Sequence, residues 1–317
     1  MPGERGSIVR AFGGGDDGDG SGERRRRDPV SGTMAERLTA LLGRDVGRAA
    51  RAGSSHDWDI SYAELTDGTR LFVKALPRGA PPSGVLTAEA RGLEWLGRTF
   101  GSPAIDVLAW DDRILVLPWS EEREPTAQAA ERLGRQLAGM HMTGADRFGA
   151  DWPGYIGPLP MDNTPSDDWP RFYAEQRLRP YLSRALDRGA LTPSDARVVE
   201  KVVDSVADLA GDPEPPARVH GDLWSGNVLW REQDAVLVDP AAHGGHREAD
   251  LAMLALFGLP HLERVRDAYN EVAPLASGWR SRVALHQLHP LLVHVCLFGA
   301  AYRTTALEAA RTALRGG

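Results

Sequence analysis

The chain of 317 residues has a single cysteine, Cys296, so no disulfide framework can form within it. That thiol lies in the apolar stretch Leu291-Leu-Val-His-Val-Cys-Leu-Phe298 and reads as a core residue rather than a nucleophile. No run of 18 consecutive apolar residues occurs, and none is expected to span a membrane. An excess of positive charge is missing as well. A net charge of −7 argues against a general nucleic-acid binder. There is no G-x-x-x-x-G-K-[ST] loop to cradle phosphates. His286, His289 and His294 have no cysteine or carboxylate beside them, and Pro290 is expected to break the helix that carries them, which argues against zinc. The first 33 residues hold nine glycines and almost no apolar periodicity. Six basic and six acidic residues cancel there. This segment reads as a disordered Gly/Asp/Arg-rich tail, with the folded part expected to begin near Met34.

What the chain does have is His220-Gly-Asp-Leu-Trp-Ser-Gly-Asn227, followed twelve residues after Asn227 by Asp239-Pro240. Asp222 and Asn227 are five positions apart, the H-x-D-x-x-x-x-N spacing of phosphoryl-transfer loops. The transferred phosphoryl needs little covalent help, so catalysis reduces to aligning a hydroxyl and neutralising charge. Asp222 is therefore the candidate base for the hydroxyl proton. Asn227 and Asp239 are candidate oxygen ligands for a hard divalent cation, Mg2+. Val228-Leu-Trp230 and Val236-Leu-Val238, separated by the polar 231–234, predict a hairpin. Pairing 228 with 238 would set Asn227 opposite Asp239 at its open end.

Upstream, Leu71-Phe-Val-Lys-Ala-Leu76 reads as a buried strand with one lysine in its middle, costly unless that lysine is paired or functional. The helix Leu86–Leu96 offers Glu89 as partner, with Glu94 as a competitor. A strand lysine paired to a helix glutamate is how kinases hold the α- and β-phosphates of ATP. The strand Arg113–Trp119 stops at Pro118, which has no N–H, so adenine contacts fall to the backbone of Leu117 and Trp119. Arg51–Ile60 reads as a phosphate-covering loop with one glycine, where Ser54 and Ser55 offer donors.

Taken together these stretches resemble the fructosamine kinase (ketosamine-3-kinase) family, in the aminoglycoside-phosphotransferase-like branch of the protein-kinase-like fold. The octapeptide, Asp239-Pro-Ala-Ala242, Gly245-His-Arg-Glu-Ala-Asp-Leu-Ala-Met253, Phe72-Val-Lys74, Glu89-Ala-Arg-Gly-Leu93 and Asp168-Trp-Pro-Arg-Phe-Tyr-Ala-Glu-Gln-Arg177 carry the likeness, over about residues 48–300. It implies ATP- and Mg2+-dependent phosphorylation of the sugar 3-hydroxyl of a ketosamine, on a free amine or a protein lysine, after which the phosphate eliminates. It also implies that Asp222 is the base, Asn227 and Asp239 the metal ligands, Lys74 the phosphate contact and Glu89 its partner. The resemblance further implies that His220 and Asp250 brace the catalytic loop. His243 stands where relatives carry a Tyr-Tyr pair, and with Trp224 is a candidate sugar contact. The phosphate loop lacks the cysteine some members have, which argues against a redox switch there.

The expected architecture is α+β, two-lobed and protein-kinase-like: a β-rich N-lobe over 34–118 and a larger helical C-lobe over 119–317. Ala127–Met142, Trp169–Leu186 and Pro193–Leu209 are predicted helices, and 148–168 an ordered loop. Beyond Leu251 the chain is predicted helical, with breaks at Pro260, Pro274, Gly278 and Pro290. Trp169, Phe172 and Tyr173 are core candidates, any of which can also stack on a sugar. A cytoplasmic monomer is expected. Two alternatives stay open: a phosphotransferase of this fold acting on an aminoglycoside, choline or another sugar, and a non-catalytic binding protein. The absence of D-F-G and A-P-E argues against a protein kinase.

Overall fold

Thr33 opens the first helix, α1 (Met34–Leu42), with a capping box: its hydroxyl accepts from Glu36 N–H while the Glu36 carboxylate accepts from Thr33 N–H. The computed structural model in which this is seen describes residues 33–55, 58–80 and 83–316; the tail over 1–32 and the Ser55 side chain lie outside the described residues. Two compact units are present. One comprises residues up to Ala90 together with Asp106–Glu122, the other Arg91–Ile105 with Arg123–Gly317.

In the first unit β1 (Val46–Ser55), β2 (Trp58–Leu65) and β3 (Arg70–Ala75) form an antiparallel meander. After α2 (Val85–Gly97), β4 (Ala109–Trp110) and β5 (Ile114–Pro118) complete a sheet of order β1-β2-β3-β5-β4. Side-chain alternation divides its two faces. Ala63, Leu65, Leu71, Val73, Ala75, Ile114 and Val116 pack with Leu38 of α1 in one core. Ile60, Tyr62, Phe72, Lys74 and Leu117 share the opposite face by register. The residues predicted as a phosphate-covering loop are thus largely strand. Arg51–Ser55 pairs with Trp58–Ser61 through a register shift at Gly53. On α2, Leu86, Ala90, Leu93 and Leu96 are all at most 1% exposed, the apolar stripe read from their spacing.

The second unit contains α3 (Ala127–Met142), the short hairpin β6–β7 (Gly154–Ile156, Leu159–Met161), α4 (Trp169–Phe172), α5 (Arg179–Asp187) and α6 (Pro193–Leu209). A π-helical stretch, Tyr173–Leu178, joins α4 to α5. Then come β8 (Ala217–Val219), the hairpin β9–β10 (Val228–Trp230, Ala235–Leu237), β11 (His243–Gly245), α7 (Glu248–Leu256), α8 (Leu262–Val272), α9 (Trp279–Phe298) and α10 (Arg303–Gly316). Short two-stranded sheets pair β9 with β10 and β8 with β11. Within Trp279–Gly316 one window is apolar enough to cross a membrane, yet 56% of it is buried inside the protein, as in a core helix.

Pro290 does not end α9, contrary to expectation, and the turn before it is bridged by Tyr173, which lies 112 residues upstream of Leu285. Its hydroxyl donates to Leu285 C=O at 2.6 Å and accepts from His289 N–H at 3.3 Å, bridging the turn that precedes the proline. Gly134, in α3, is required by close helix packing. A Cβ there would stand 2.2 Å from Val265 C=O in α8. Gly134→Ala should therefore lower stability by roughly 1–3 kcal/mol despite alanine's better helix propensity. Denaturant titration checks this, with a lower midpoint and unchanged slope expected; a wild-type midpoint would show that the contact relaxes freely.

Candidate active site

The hairpin β9–β10 forms as predicted but one residue out of register. Val228 pairs with Leu237, and Val238 N–H donates to Asn227 C=O. Asp239 therefore lies one step past the pair, and it takes φ +55, one of two non-glycine residues with positive φ among those described. That left-handed conformation is disfavoured for a residue with a Cβ, and such departures concentrate at functional sites. Asn227 Nδ2 donates to Asp222 C=O at 2.8 Å and reaches Asp222 Oδ2 and Asp239 C=O at 3.4 Å. The Asn227 amide thus ties the two acidic positions together. With its nitrogen so engaged, the amide presents its oxygen as a ligand. Burial, joined by the charge of Asp239, raises the Asp222 pKa to about 7. Two carboxylates near enough for one to raise the pKa of the other, with an amide between their backbones, are a donor set of the kind a hard divalent cation takes.

Asp250, at the start of α7, holds the loop from below. Its carboxylate accepts from His220 N–H at 2.7 Å, Gly221 N–H at 2.9 Å and His141 Nε2 at 3.0 Å. Burial works against its charge, but the bond from His141 and the neighbouring donors hold the carboxyl below the ordinary aspartate range. His141 in turn meets Tyr269 Oη through Nδ1 at 2.9 Å. His220 Nε2 faces Val238 C=O at 2.9 Å, so it carries the proton, and Nδ1 accepts from Asp222 N–H at 3.3 Å. Burial keeps this imidazole neutral. Gly221 has φ +81, and a Cβ there would sit 2.3 Å from Ala241 C=O. Only glycine fits that turn.

His243, expected to line a sugar pocket, lies beneath the catalytic loop, where it borders a cavity with Trp169, Phe172 and Gly221. It is 7% exposed, its Nδ1 meets Ala241 C=O at 2.8 Å, and its ring packs under Gly221. Burial pushes its pKa down to about 3, so it stays neutral. Trp224 is only half-buried and meets Phe257 edge-on at 6.3 Å. From there His294, Tyr302 and Phe298 continue an aromatic run, with His294 at 5.1 Å from Phe257 and 4.8 Å from Tyr302. Trp169, Phe172 and Tyr173 are all core residues. Buried Arg177 in the π-helical stretch stacks on Phe172 at 4.3 Å and donates to Asp162 C=O and Asn163 Oδ1, fixing the 148–168 segment. His286 has a carboxylate after all: Glu248 and His246 lie beside it. Arg282 binds both Glu248 oxygens and neutralises that charge.

In the first unit Lys74 and Glu89 meet at 2.6 Å, both buried. Glu94, the competing partner, is exposed. Trp58 covers the Lys74 ammonium, with Nζ 5.1 Å from the ring centroid. Ser54 is exposed on β1 opposite Asp59. Leu117 stands opposite Phe72, and the Trp119 N–H donates to Arg70 C=O at 3.1 Å, closing the sheet. The Trp119 amide is therefore engaged within the sheet. Sequence reading missed Trp58, Tyr62, Phe72 and His141. The first three share the Lys74 face, a fact readable only once the register is known.

A sequence profile of the family described as fructosamine kinase matches residues 39–315. A probable ketoamine kinase of Synechocystis sp. is 35% identical over 291 residues, covering 89% of this chain and 96% of its own. The crystal structure of a candidate fructosamine-3-kinase from Thermobifida fusca YX-ER1 superposes with TM-score 0.88 at 68% identity, over 89% of this chain and 99% of that one. A macrolide 2′-phosphotransferase of Brachybacterium faecium shares the fold alone, with TM-score 0.57 at 16% identity over 86% and 95% of the two chains. The fold is therefore the α+β protein-kinase-like one.

Proposed function

The chain belongs to the fructosamine kinase family, and from that premise we propose that it transfers the γ-phosphoryl of ATP to the sugar 3-hydroxyl of a ketosamine. The observation that carries the reading is the constellation of Asp222, Asn227 and Asp239 on a loop held by Asp250. Asp222 takes the proton of the acceptor hydroxyl as its oxygen attacks phosphorus. The raised pKa of this carboxylate suits the task, because a base near neutrality is both ionised and strong enough to accept. Asn227 Oδ1 and the Asp239 carboxylate would hold Mg2+. When bound, the ion neutralises charge on the phosphate oxygens. Lys74, held by Glu89, contacts the phosphates, while Phe72, Leu117 and Trp119 bound the adenine side, with Ser54 and Ser55 on the strand that leads toward the phosphates. Trp224 and the aromatic run beyond it supply a face for the acceptor, whose amine is a small molecule or a protein lysine. Loss of the 3-phosphate then makes the reaction a deglycation. We place it in the cytoplasm, where ATP is at hand, acting as a monomer.

A panel of acceptors tests this: ATP consumption with fructosamines, ribulosamines and aminoglycosides side by side. Turnover on a ketosamine is expected. Turnover on an antibiotic alone would overturn the reading.

A further inference from the structure

The register of the first unit brings an unassigned tryptophan onto the lysine of the nucleotide site. Ile60 of β2 stands opposite Lys74 of β3, and Trp58 lies two residues earlier on the same strand. Residues two apart point to one face, and a diagonal cross-strand neighbour is within reach of long and aromatic side chains. Trp58 therefore shares the Lys74 face, and its ring lies 5.1 Å from Nζ. Glu89 approaches the same ammonium at 2.6 Å. The Lys74 side chain is only 5% exposed, so water does little to hold its charge.

A lysine ammonium is a point charge on a four-carbon stem and has no direction of its own. The Glu89 carboxylate fixes its distance from α2 but does not by itself fix its direction. The negative face of an indole attracts the cation from a second direction and excludes others. We propose that Trp58 is a positioning residue for nucleotide binding, holding the Lys74 ammonium in the direction from which it meets the phosphates. The proposal rests on the reading of this protein as an ATP-dependent kinase. Glutamate and indole divide the work: Glu89 sets the charge balance and Trp58 the aim. Adenine recognition, which belongs to other residues of the sheet, is untouched by Trp58. The proposal thus separates ligands that carry phosphates from those that do not.

The test compares wild-type protein with Trp58→Ala and Trp58→Phe in the full-length chain. KM for ATP, and Kd for ADP and for adenosine by calorimetry, are measured with thermal midpoints. In Trp58→Ala, KM for ATP and Kd for ADP should rise about 3- to 30-fold, the range a desolvated cation–π contact supports. Adenosine affinity should stay within a factor of two or so of wild type, and Trp58→Phe should recover most of the loss, as a second aromatic face allows. A fall in thermal midpoint with unchanged ADP affinity would overturn the proposal and leave Trp58 a packing residue. Equal losses for ADP and adenosine would overturn it too, by showing general damage to the site. If wild-type protein binds ADP but the variants bind it equally, the inference fails alone. If wild-type protein binds neither ATP nor ADP, the kinase reading fails and the inference with it.

Discussion

Asp222→Asn should lower kcat by about 10²- to 10⁴-fold, the range a general base contributes, with the fold intact. The asparagine amide cannot accept the hydroxyl proton. The bond from Asn227 Nδ2 to the backbone carbonyl of residue 222 survives, so the loop keeps its shape. Stability should not fall. The Asp222 pKa is raised by burial and by Asp239, so above neutrality the folded state holds a charge that it disfavours. Removing that charge leaves the thermal midpoint equal to or above the wild-type value at pH 8. Steady-state assay and a thermal melt on the same preparation check both parts. A variant with wild-type kcat would remove Asp222 from the mechanism. One that unfolds early would make it a structural residue.

Asp250→Ala should have the largest effect on stability. The carboxylate is 1% exposed and accepts from two backbone N–H groups and His141, all of which would be left buried without it. Breaking such a buried charged network costs about 3–5 kcal/mol, which corresponds to a fall of roughly 10 °C in midpoint. Asp250→Asn keeps one acceptor and should recover part of that. The pH dependence separates charge from shape. The Asp250 carboxyl is held below the ordinary range in the folded state, so its contribution is present above the unfolded value near 4 and disappears as pH falls through the folded one. The stability gap between wild type and Asp250→Asn should be constant from about pH 6 upward and narrow below about pH 4. A gap independent of pH would mean that the carboxylate acts through packing alone. In both variants kcat should fall more than KM changes, because the His220–Asp222 loop relaxes while the binding surfaces remain.

Chemistry made part of this molecule readable from its residues. Phosphoryl transfer needs an acid, an amide and another acid at close range, and few spacings allow it, so Asp222, Asn227 and Asp239 stand out in the bare sequence. Lys74 stands out because an unpaired lysine in an apolar strand is costly; a further signal, unused in the reading, is that the chain has only two lysines, Lys74 and Lys201. The α3, α6 and α2 stripes are regular enough to give their helices nearly to the residue. The rest depended on partners distant in sequence. The hairpin register slipped by one because nothing local announces that Asp239 takes a positive φ. Strand β1, Val-Gly-Arg-Ala-Ala-Arg-Ala-Gly-Ser-Ser, has almost no β-branched or aromatic residues, and is a strand because β2 pairs with it. Pro290 lies within a helix whose preceding turn Tyr173 bridges, a contact that no local pattern announces. That His243 lies buried under the loop depends on the pairing of β11 with β8, which nothing in the local sequence announces.

We propose that Asp222 activates the 3-hydroxyl of a ketosamine sugar toward ATP. It is tested most directly by NMR of a reaction with ATP, Mg2+ and an isotopically labelled fructosamine. A new phosphomonoester coupled to carbon 3 of the sugar is expected, absent with Asp222→Asn, followed by release of inorganic phosphate. Phosphate on another carbon, or an unaltered fructosamine under conditions where ATP is consumed, would contradict it.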